Sequence, residues 1–116
     1  MFSLKLDNQL IGTSQLEKGD PPMGVVHGLF EPKMAIENLL GNPKHVEDGL
    51  NGWEICGGKI FAEDSVQIES HPPPYLQQFD LGSEGRIYQL TVFVKELDQY
   101  ETYFSHHIEA YANSFN

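Results

Sequence analysis

The chain has 116 residues and carries 17 acidic side chains against 7 basic ones, a formal net charge of −10. That imbalance argues against a nucleic-acid binder, which needs clustered Lys and Arg, and against docking on an anionic membrane surface. Hydrophobic residues at 40% and charged residues at 21% are close to the globular norm, and the length suits one domain spanning residues 1–116.

The acidic excess is spread out. Residues 1–58 hold 8 acids and 4 bases, and residues 59–116 hold 9 and 3. With no like-charge block, the charge is expected on a folded surface and not on a disordered arm. The single cysteine, Cys56, excludes an internal disulfide. The alternating start Phe2-Ser3-Leu4-Lys5-Leu6 lacks the continuous apolar stretch of a signal peptide. A cytoplasmic protein is the expectation.

Phe2, Leu4 and Leu6 share one strand face, Asp7-Asn8-Gln9 supplies turn residues, and Leu10 to Leu16 returns. Residues 2–16 therefore read as a β-hairpin. Glu17 to Gly24 follows as a loop stiffened by Pro21 and Pro22. Val25 to Phe30 is apolar on both faces and reads as a central strand. Ile36, Leu39 and Leu40 have helical spacing, and Gly41 and Pro43 stop the run. This predicts a short helix over residues 33–40. His45 to Gly52 is polar and reads as a loop.

Gly57-Gly58 between Trp53-Cys56 and Lys59-Ala62 predicts a second hairpin, with Ile55 facing Ile60 and Trp53 facing Ala62. Val66 to Glu69 reads as another short strand. His71-Pro72-Pro73-Pro74 must be a connector or an edge. Tyr75 to Leu81 and Arg86 to Val94 read as strands, the latter with the strongest alternation. Tyr100, Phe104, Ile108, Tyr111 and Phe115 then step at helical intervals, which predicts a helix over residues 99–112. Asp98 followed by Glu101 has capping-box spacing at its start. The fold class is therefore α+β: a mainly antiparallel sheet of about five to seven strands, one short helix, and a C-terminal helix packed on one face.

Four sets of residues bear on chemistry. The loop residues Glu17, Asp20, Pro21, Pro22 and Met23 form a candidate binding segment, and Glu17 and Asp20 are candidate acid and base. His106 and His107 with Glu109 or Glu101 are candidate metal ligands, but neighbouring helical residues point about 100° apart, and His-Glu-x-x-His and Cys-x-x-Cys pairs are absent. His107 beside an aromatic stripe reads better as a packing residue, with a catalytic role as the alternative. Pro72-Pro73-Pro74-Tyr75 matches the proline-rich pattern read by WW domains, a pattern short enough to arise by chance. Cys56 as a nucleophile would need a base; Lys59 is its cross-strand neighbour in the expected hairpin.

The segment Glu-x-Gly-Asp-Pro-Pro-Met-Gly-Val, Glu17 to Val25, resembles a signature in a group of short bacterial proteins of unassigned function. The resemblance implies a bacterial origin and a single small domain, and it transfers no catalytic residue.

Together these features predict a non-enzymatic binding protein with a basic protein partner, an immunity protein against a basic toxin being the concrete version. No cofactor, nucleic acid or membrane is expected, and the chain is read as a monomer or homodimer. A small metal-assisted hydrolase or other enzyme using Glu17, Asp20 and one or more of His27, His106 and His107 is the alternative, and a self-assembling structural or accessory protein the third reading.

Overall fold

A computed structural model describes residues 1–41, 44–45 and 51–114, the side chains of Lys44 and His45 excepted. The strands are β1 (Phe2–Leu6), β2 (Gln9–Ser14), β3 (Lys18–Asp20), β4 (Val25–Pro32), β5 (Lys44–His45), β6 (Asn51–Glu54), β7 (Lys59–Phe61), β8 (Gln67–Ile68), β9 (Tyr75–Asp80) and β10 (Arg86–Phe93). The helices are α1 (Ile36–Leu40), α2 (Leu97–Tyr103) and α3 (Ser105–Asn113). All the strands join one 10-stranded sheet in the order β5-β6-β9-β10-β4-β2-β1-β7-β8, with β3 added beside β4. Each pairing between named strands is antiparallel. The chain is thus α+β as expected, with more strands than the five to seven read from its pattern. The surplus comes from two- and three-residue strands too short to show a period of two.

The first hairpin forms as predicted. Asp7 and Asn8 take φ of 52° and 65°, and a turn with two positive φ values matches the right-handed twist of its strands. A register shift between Leu4 and Lys5 turns Ile11 inward, where it is fully buried.

The second hairpin does not form. β6 pairs with β5 and β9, whereas β7 pairs with β1 and β8. Gly57-Gly58 therefore joins strands on opposite flanks of the sheet. In a flat sheet those strands, six places apart in the order, would be about 29 Å apart. The five steps from Glu54 to Lys59 span at most about 18 Å. The sheet must curl to bring its flanks together, and the curl encloses the core. Leu4, Val26, Ile60, Leu76, Leu90 and Val92 are fully buried, and the pairings Leu4 with Ile60, Val26 with Val92, and Leu76 with Leu90 put them on one concave side. Cys56 loses its expected cross-strand neighbour Lys59 and lies exposed in the turn.

Three further expectations change. The short helix is confined to α1, starting after Lys33 has donated its N–H to the Ile11 carbonyl. Lys44 and His45 pair with Gly52 and Asn51, so the ends of the expected polar loop are strands; residues 46–50 lie outside the described residues. The C-terminal helix is two helices, broken at Phe104 (φ −128°, ψ 26°). The break lets Phe104 enter the core, where it is fully buried and stacks on Phe2 at 5.0 Å between ring centroids. The predicted stripe is kept at Tyr100, Phe104 and Ile108, leaves Tyr111 42% exposed, and at Phe115 lies outside the described residues. No side chain caps α2, so the Asp98–Glu101 spacing is not used as a capping box. Among the described residues no helix is long and apolar enough to cross a membrane.

Candidate functional site

The site is built around an interruption in one sheet edge. β2 runs beside β4 as far as the pair Ser14–Phe30, and β3 resumes on the same edge at Lys18–His27. Three residues, Gln15, Leu16 and Glu17, therefore lie opposite two, Gly28 and Leu29. This is a β-bulge, which re-aims the side chains it carries. Leu16 takes φ 45° and its N–H donates to Ser14 Oγ at 3.0 Å. Its side chain is fully buried.

Each half of the bulge is fixed by a separate contact. On the inside, His107 Nε2–H donates to the Leu16 carbonyl at 2.8 Å. His107 is 6% exposed and lies nearly parallel to the Phe104 ring at 5.9 Å. Burial holds its pKa below the ordinary histidine value; His106 and His27 act in the same direction, while the bond to Leu16 and the nearby Glu17 charge oppose it. On the neighbouring strand, the Leu29 N–H that the bulge deprives of a ladder partner donates to Glu17 Oε1 at 2.8 Å.

Gly28 is required here. A Cβ at that position would lie 2.1 Å from Glu17 Oε2 and 2.9 Å from Leu16 Cα. Gly19 has the matching role beside the helices, since a Cβ there would lie 2.8 Å from both the His107 ring and Tyr100 Oη. The Tyr100 hydroxyl donates to the Val25 carbonyl at 3.0 Å, and burial, helped by the Asp20 charge, pushes its pKa up to about 12.

Glu17 borders a cleft of about 520 Å³ on the outer face of the sheet. Leu29 and Ile87, 62% and 41% exposed, line it together with Met1, Phe30, Pro32 and Tyr88, and Glu31 and Arg86 stand at its rim. The Arg86 guanidinium is engaged by Glu37, whose carboxylate also accepts from Gln78 Nε2 at 2.7 Å. Lys33 pairs with Glu31 at 3.2 Å. Among the described residues no cation pairs with Glu17.

The segment singled out in the sequence is therefore divided. Glu17 borders the cleft, with its carboxylate against Gly28. Asp20 ends β3 opposite Val25, and Pro21–Met23 form a 3-10 turn closed by Gly24 N–H to Pro21 O at 3.0 Å. None of these four residues lines the cleft, and Met23 stands 71% exposed elsewhere. Glu17 and Asp20 do not meet as an acid–base pair. His106 is exposed, its ring centroid 4.0 Å from that of His107, and His107 turns to Leu16. Among the described residues no group of three or more His, Cys, Asp or Glu side chains, Glu109 included, is placed to hold a metal ion. Pro74 is buried and Tyr75 begins β9 with its hydroxyl inside, so the end of the proline run is packed into the fold while Pro72 is exposed.

Leu29, Ile87, Glu31 and Arg86 have no signal in the linear sequence. Leu29 belongs to one of the two apolar faces of Val25–Phe30, but only the pairing of β4 with β10 brings it near Ile87. No family model matches the chain, and no curated protein or solved structure matches it either.

Proposed function

We propose that the protein is a non-enzymatic binding protein whose partner is a basic protein. The observation that carries this reading is the lack of internal compensation for its charge. Among the described residues the ion pairs engage only Glu31, Glu37 and Glu63 of the acidic side chains, the last with the Met1 amino group. The other described carboxylates keep their field directed at solvent, where it steers a cationic surface towards the protein and speeds encounter. The concrete form is a bacterial immunity protein that covers the cationic face of a toxin, such as a nuclease, whose own substrate is anionic.

The test is affinity capture at low ionic strength from a bacterial lysate, followed by elution with rising salt. The reading expects one basic protein, retained at low salt and released steeply as screening shortens the reach of the charges. Co-expression should then rescue growth if that partner is a toxin. Recovery of no specific partner at low salt contradicts the reading.

A further inference from the structure

We infer that α3 is a pH-sensitive strap: proton uptake by the His106–His107 pair releases the helix from the Leu16 bulge, with Phe104 as the hinge. The device is independent of any partner.

The helix has little else to hold it. Within α3 only His107 is buried and Ile108 half-buried; every other residue is exposed. A helix of 9 residues is marginal in water by itself, so its order comes from docking on β3 and the 3-10 turn. That docking is concentrated in His107. Its Nε2–H donates to the Leu16 carbonyl, and its ring lies against Phe104 and Gly19. The other side of the hinge is anchored. Phe104 is fully buried against Phe2 and takes a non-helical backbone conformation, and Tyr100 in α2 is bonded to the Val25 carbonyl. α2 therefore stays in place when α3 leaves.

A proton on His107 does not remove the bond to Leu16, because Nε2 keeps its hydrogen. It adds a charge and a second N–H at Nδ1, for which the described residues offer no acceptor. The His106 ring centroid is 4.0 Å away, so a proton there adds repulsion. His27 on β4 repels in the same way when charged, whereas Glu17 in the bulge attracts the proton. On β3, Lys18 stands exposed opposite His27, and Asp20 acts on the Tyr100 hydroxyl, which is neutral in this range. Burial prevails over Glu17, and docked His107 holds its proton less firmly than the free side chain. The released helix thus binds more protons. Docking is full above the ordinary histidine value of 6.5 and weakens as pH falls through the lower docked value.

The test is amide hydrogen exchange followed by NMR on the intact chain, read as protection factors at about pH 7.5 and about pH 5. Amides of Ile108 to Ala110 should lose protection about tenfold between the two, while those of β4 and β10 change by less than about threefold. His107→Gln keeps a donor for Leu16 and cannot titrate, so its α3 protection should agree within about twofold at the two pH values. His106→Gln removes the neighbouring charge and should cut the acid-driven loss to about fivefold or less.

Protection in α3 that does not change with pH overturns the inference. A loss shared equally by α3, β4 and β10 is acid unfolding of the whole chain and overturns it too, as does a full acid loss in His107→Gln. Should His107→Gln leave α3 unprotected at both pH values, the exposed His106 decides: an acid loss in His106→Gln equal to the parent's overturns the strap, and a smaller one supports it.

Discussion

His107 and Glu17 hold the two strands of the same bulge. The imidazole donates to the Leu16 carbonyl, and the Glu17 carboxylate accepts from the Leu29 N–H across the gap. Leu16, at φ 45°, lies between them. A residue in the left-handed region costs about 1–2 kcal/mol, and the surrounding contacts must outweigh it. The two contacts couple the C-terminal helix to the position of the cleft's anion.

Removing the inner contact should therefore destabilise the whole chain. His107→Ala leaves a buried carbonyl without its donor and a void against Phe104. We expect a loss of about 2–4 kcal/mol in urea denaturation. His107→Gln, which can still donate, should lose less.

The same residue sets a pH dependence. Burial lowers the folded-state pKa of His107 below its unfolded value of about 6.5, so the unfolded chain binds the proton more readily. Its contribution is fully present above pH ~6.5. It is lost progressively as pH falls from there through the folded-state value. Urea midpoints measured from about pH 7.5 down to pH 5 should decline, and the decline should be shallower in His107→Gln. Equal slopes in the two proteins would assign the pH dependence to other groups.

Gly28→Ala offers a direct check on the bulge. The added methyl meets Glu17 Oε2 and the Leu16 backbone, so a loss of about 2 kcal/mol or more is expected. Combining it with Glu17→Ala removes only the carboxylate clash. The pair should then be less destabilising than the sum of the single changes, by about 0.5–1 kcal/mol. Strict additivity would mean that the two side chains do not share the space.

Replacing both Glu17 and Asp20 by Ala separates their roles. Glu17→Ala orphans the Leu29 N–H and should cost about 1 kcal/mol. Asp20→Ala loses no hydrogen bond and should remain within about 0.5 kcal/mol of the parent. Thermal melting of the two single variants distinguishes them.

Phe104→Ala should be the most damaging of these changes, at about 3–5 kcal/mol. The ring is fully buried between Phe2 and His107 and marks the break between α2 and α3. Loss of cooperative unfolding in this variant would be consistent; an unchanged melting temperature would contradict the packing described.

The longer strands were legible from local pattern. In Phe2–Leu6 and Arg86–Phe93 the buried Leu4, Leu90 and Val92 lie on the face that alternation marks, whereas in Tyr75–Asp80 the buried residues are Leu76 and Gln78, which no apolar alternation selects. The Asp7-Asn8 turn was legible because Asp and Asn tolerate positive φ. Gly57-Gly58 misled for the same kind of reason: glycines permit a hairpin without specifying one. Which strands pair depends on contacts far apart in the chain, and β6 finds a better partner in β9.

The acidic excess, its even spread, the α+β class and the aromatic C-terminal stripe were fixed by sequence alone, because composition and period are local properties. Tertiary structure decided that Glu17 and Asp20 part company and that His107 grips Leu16. It also decided that Leu29 stays exposed beside Ile87. Each of these depends on strand register and on the bulge at Leu16, where a one-residue shift exchanges the two faces of the strand.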